Sequence, residues 1–163
     1  MRWLAFLTAL LAAAIIGYGA MQPLRVVPAS APATAFSAER AMVDVRAIAE
    51  HPHPTGSADN ARVRAMLAAR LQALGFEVRE STVPLGESAK QRLAKRQGTS
   101  AESAVNLIAV RPAGDAAAPL VALMAHYDSV PGSPGAADDA SGVAAALEIA
   151  RATANDPAKI GRA

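Results

Sequence analysis

At 163 residues the chain has room for one domain, by the usual prior of about 100–200 residues each. Apolar residues make up 52%, but much of that is alanine, and with 1 Trp, 2 Tyr and 3 Phe any core must rest on Leu, Val and Ile. A formal charge of +2, with basic residues scattered among acids, excludes a nucleic-acid-binding stripe, and the lack of cysteine excludes disulfides and thiolate metal sites.

After Met1 and Arg2, the stretch from Trp3 to Met21 carries no charge and one clearly polar side chain, Thr8. At ~1.5 Å per residue it can just cross a hydrocarbon core of ~30 Å as a helix. A cleaved signal peptide is the competing reading, and either one sends the following residues out of the cytosol. Residues 1–21 are therefore expected to be a transmembrane anchor or signal segment. Residues 22–36, with Pro23, Pro28 and Pro32 and no apolar period, are expected to be a linker, and residues 37–163 a folded unit.

Ser37 is a plausible N-cap, and Met42, Val45, Ile48 and Ala49 share one helical stripe up to about Glu50. The sequence His51-Pro52-His53-Pro54-Thr55-Gly56-Ser57 breaks that helix, because proline forbids its continuation. His51 and His53 fit a structural turn or an auxiliary place on the substrate side. Ser57 or Asp59 can cap a second helix, with Val63, Met66, Leu67, Leu71 and Leu74 as its apolar face and Gly75 as its stop. Phe76 to Val83 reads as a strand. Residues 84–103 read as a polar, basic excursion with room for a short helix at 88–96. Ala104 to Val110 is the next strand and residues 111–118 a turn.

The stretch Val121 to Gly142 concentrates the chemistry. Its apolar start, Val121 to Ala125, fits a fully buried strand that delivers His126-Tyr127-Asp128 at its tip. A loop with Pro131, Gly132, Pro134 and Gly135 follows, then Asp138-Asp139, then Ser141-Gly142 opening a helix over Val143 to Ala152. Neutral imidazole and carboxylate are the ligands that a nitrogen-and-oxygen metal site uses. For His126 alone, a buried histidine satisfied by a backbone carbonyl competes with the ligand reading. Asp128 suits the orientation of a ligand imidazole. One of Asp138 and Asp139 can cap the helix, Asp139 being as suited to that as to anything else, while Asp138 can reach a metal if the loop folds back toward His126. Glu148 reads as a solvated helix residue. The element order is that of an α/β fold.

Taken together, residues 126–136 (HYDSVPGSPGA) and 138–142 (DDASG) resemble the first metal-binding segment of the dinuclear zinc aminopeptidases of the aminopeptidase Y and bacterial leucyl aminopeptidase type. Residues 51–57 (HPHPTGS), followed by Asn60 to Arg64, are similar to the membrane-anchored branch of the endoplasmic-reticulum metallopeptidase type. The resemblance covers roughly residues 37–152. It implies a three-layer α/β/α fold with a mixed central sheet, here incomplete, two zinc ions and hydrolysis of N-terminal peptide bonds. It also implies that His126 binds one zinc, that Asp138 bridges both, and that Asp128 takes part in catalysis by orienting His126.

In that family a pair of adjacent glutamates and a later Asp and His complete the two sites. After Ser141 this sequence offers only Glu148 and Asp156, with no histidine. The expectation is a truncated copy, inactive alone, acting on peptide or protein N termini if completed, held at the membrane with its domain outside the cytoplasm or secreted after signal cleavage. A non-catalytic remnant or binding module, or a zinc enzyme of the glutaminyl-cyclase kind, are the alternatives.

Overall fold

The computed structural model describes residues 2–21, 26–98, 100–111 and 121–154. The turn expected at 111–118 falls largely outside them. Helix α1, Arg2–Ala20, buries none of its residues against the rest of the chain, and it is long and apolar enough to cross a membrane.

The core is built by three helices. In α2, Ala38–Ile48, the Ser37 hydroxyl accepts from the Arg40 amide, which makes Ser37 the cap the sequence predicts. The buried stripe is Ala41, Val45 and Ile48, while Met42 is 42% exposed. This corrects the expected stripe by one position. Small Ala41, rather than Met42, lies where α2 approaches its neighbour. In α3, Ala58–Ala73, Ser57 rather than Asp59 is the cap, its hydroxyl accepting from the Asn60 amide at 3.1 Å. Val63 and Leu67 of α3 and Val143, Ala144 and Leu147 of α5, Ser141–Ala154, complete the core with Ala140.

Strands β1, Glu77–Pro84, and β2, Ser103–Val110, form a two-stranded antiparallel sheet in which Glu77 pairs with Val110 and Pro84 with Ser103. The excursion between them contains α4, Glu87–Gln97, one residue longer at each end than the 88–96 helix expected. A core of helices packed on a small sheet is compatible with an incomplete α/β fold.

The buried strand expected at Val121 to Ala125 is not there. Residues 121–126 belong to no ladder among the described residues, and Val121, Leu123 and Met124 are 64%, 53% and 94% exposed. An apolar run specifies a tendency to be buried; a strand also needs partners for its N–H and C=O groups. Only the tip of the segment is fastened, where the Tyr127 hydroxyl donates to the Val105 carbonyl of β2.

Glu148 is a second correction. It is not solvated but 3% exposed, on the same stripe of α5 as Ala144 and Leu147. Its carboxylate accepts from the Ser37 amide at 2.7 Å, from Arg40 Nε at 3.0 Å and from Arg151 Nε at 2.6 Å, so the buried charge is fully compensated. Burial by itself raises the Glu148 pKa, but the hydrogen bonds from Arg151, Ser37 and Arg40 outweigh it and hold the carboxyl below its ordinary value.

Candidate metal centre

The candidate site is assembled from the 51–57 turn, the 126–129 segment and the loop that leads into α5. The first two are stitched together. His53 donates its amide to Ser129 Oγ at 2.8 Å and accepts from the Ser129 amide at 3.2 Å. Asn60 Nδ2 donates to the same His53 carbonyl, and the His53 ring, 1% exposed, places Nδ1 2.8 Å from the His51 carbonyl. His53 is thus a structural residue of the turn, and His51 is exposed at its edge.

The turn also supplies a contact that the sequence did not suggest. Thr55 Oγ1 donates to Asp128 Oδ2 at 3.0 Å, and Asp128 Oδ1 lies 3.3 Å from His126 Nδ1. The Asp128 carbonyl is 3.1 Å from the same nitrogen. A carbonyl can only accept, so Nδ1 carries the hydrogen in that contact and Nε2 is the ring atom left for a ligand. Nothing in the local spacing points to Thr55, whose partner is 73 positions away.

The loop returns to His126 through Gly135. Its φ is +67°, and a Cβ there would come within 2.9 Å of both the Asp138 carbonyl oxygen and the Ser129 side chain, so only glycine allows the reversal. Residues 136–140 form a wide turn in which Asp138 and Asp139 leave helical geometry, and the peptide between them is cis. The two carboxylates diverge to different partners. Asp139 Oδ1 accepts from the Gly142 amide at 3.1 Å and caps α5, packed so closely that a side chain on Gly142 would run into it. Asp138 stays 91% exposed and puts Oδ1 2.9 Å from His126 Nε2.

His126 therefore lies between two carboxylates. Burial lowers its pKa, but hydrogen bonding to Asp138 and to the Asp128 backbone, with the charges of both acids, raises it overall. Once its Nε2 proton is lost, this imidazole and the exposed Asp138 carboxylate are a pair of donors of the kind zinc takes. Among the described residues, however, no three His, Cys, Asp or Glu side chains converge on one point. The donor set fits a nitrogen-and-oxygen metal ion in type and direction, with two ligands of the three that a catalytic zinc takes from protein.

Residues 106–162, which span β2, the 126–129 tip, the loop and α5, match the family described as Peptidase family M28. The chain is 35% identical over 115 residues to a vacuolar membrane protease of Candida dubliniensis, covering 67% of this chain and 12% of that protein. Vacuolar membrane proteases of Candida albicans and Candida tropicalis are 32% identical over 119 and 122 residues, covering 72% and 70% of this chain and 13% of each of theirs. The chain thus spans only 12–13% of the length of these curated relatives. No solved structure matches it.

Proposed function

We propose that the chain supplies the first part of the centre of a zinc-dependent exopeptidase that hydrolyses N-terminal peptide bonds, held at a membrane by α1 with its folded part outside the cytoplasm. The observation that carries this is the approach of His126 Nε2 to Asp138 Oδ1 at 2.9 Å, with Asp128 on the far side of the ring. Bound zinc would acidify a water and polarise the scissile carbonyl. His126 would give Nε2 to one ion, Asp138 would give its exposed carboxylate to the same ion and to a second, and Asp128 would fix the tautomer. The membrane reading is supported by the length and apolarity of α1 and by the names of the relatives. Signal cleavage and secretion is the other route to the same compartment.

Two donors bind zinc weakly, and no glutamate base lies beside them among the described residues, so the chain alone should bind metal loosely and turn over nothing. That also favours, as the second reading, a non-catalytic module on the same scaffold. The test is to titrate the full chain in detergent with zinc and to assay peptides with free and with acetylated N termini. Weak zinc binding that disappears in His126→Ala, with neither peptide cleaved, is expected. Zinc binding indifferent to His126→Ala, or cleavage of the acetylated peptide, would overturn the proposal.

A further inference from the structure

Residues 26–36 form no helix or strand, yet they are fastened along their length. Ser37 Oγ lies 3.0 and 2.9 Å from the Val27 and Pro28 carbonyls, between which its one hydrogen is shared, and the Ala29 amide donates to Glu39 at 2.8 Å. Arg40 donates to the carbonyls of Ala29 and Ala31 at 2.6 and 2.9 Å and of Ala35 at 2.7 Å. Arg151 donates to Ala33 and Ala35 at 2.7 and 2.9 Å. Both guanidinium groups are held in turn by the buried Glu148. Two planar, multidentate cations fixed on one buried anion can clasp successive carbonyls in a way that flexible lysines would not.

The consequence concerns reach. A free linker over 22–36, extended at ~3.1 Å per residue, would stand the domain off by about 45 Å. With 26–37 clasped, only positions 22–25 separate Met21 from Val26, and whatever their path they span at most about 18 Å. Val27 lies against Ser37 and Ser37 against Glu148, so the strap ties α5 to the same short stretch.

We infer that residues 26–37 are a strap that holds the folded part close to the membrane end of α1 instead of leaving it on a free linker. This rests on the proposed membrane anchoring by α1. The chain has no cysteine, so Ser88→Cys on the exposed side of α4 gives a unique dye position. The full chain is reconstituted in phosphatidylcholine vesicles carrying an acceptor on the lipid headgroup. Flotation, energy transfer and amide exchange are read on the same sample. The expected results are co-flotation, Ala29 and Ser37 amides exchanging about a hundredfold slower than free peptide, and transfer that falls to about half when a sixteen-residue Gly-Ser insert follows Arg25. Failure to float removes the anchor and overturns the apposition through that reading. Flotation with free exchange at Ala29 and Ser37, or with equal transfer in the chain and the insert variant, overturns the strap itself.

Discussion

Asp128 stands between Thr55 and His126, taking a hydrogen bond from the Thr55 hydroxyl at 3.0 Å on one oxygen and facing the imidazole Nδ1 at 3.3 Å with the other. The hydroxyl leaves the carboxylate one favourable rotamer, and the carboxylate leaves the imidazole one favourable tautomer. Thr55→Val keeps the shape and deletes the donor. It should weaken zinc binding by about tenfold, the lower end of the cost of removing such an outer partner, while Thr55→Ser should restore it. Competition with a chromophoric chelator measures both.

Gly135 decides whether the loop folds back at all. Gly135→Ala meets both the positive φ and the contacts at 2.9 Å with Asp138 and Ser129, and should cost about 2 kcal/mol or more. In urea denaturation the midpoint should fall, and the His126 ring resonances should move toward those of Asp138→Ala as the carboxylate withdraws.

Glu148 is the buried anion on which two arginines depend. Glu148→Ala strands Arg40 and Arg151 and removes the acceptor of the Ser37 amide, so a loss of about 3–5 kcal/mol is expected in chemical denaturation. Glu148→Gln retains an acceptor oxygen and should lose less.

The same residue sets a pH dependence. Its folded-state pKa is depressed, so its contribution is complete above the unfolded carboxyl value, about 4.3, and is lost as pH falls through the lower folded value. The stability difference between the chain and Glu148→Gln should therefore be constant from neutral pH to about 5 and shrink below it. Thermal denaturation of the two proteins in parallel checks this. A difference that grows on acidification would contradict the compensation of Glu148 by its partners.

Local signals carried most of the fold. Ser37 and Ser57 announced their helices because a cap needs only its own hydroxyl and an amide three positions on, and the two strands were set by short alternating runs between turn residues. In the site, the spacing of His126, Asp128 and Asp138 was visible because the ligand types and the Pro-Gly loop lie within one stretch. What stayed hidden depends on partners far along the chain. Glu148 is buried because Ser37 and Arg40 stand 111 and 108 positions away, and Thr55 matters because Asp128 lies opposite it. The apolar run at 121–125 shows the converse error, since hydrophobicity was legible there and the missing ladder was not.

The divergence of two adjacent carboxylates gives the most direct test of the centre. Zinc affinity is measured on the full chain and on Asp138→Ala and Asp139→Asn. Because Asp138 faces His126 while Asp139 caps α5, a role that asparagine also fills, binding should be lost in the first variant and kept in the second. Binding that survives Asp138→Ala, or that is lost with a folded Asp139→Asn, would contradict a metal centre built on His126 and Asp138.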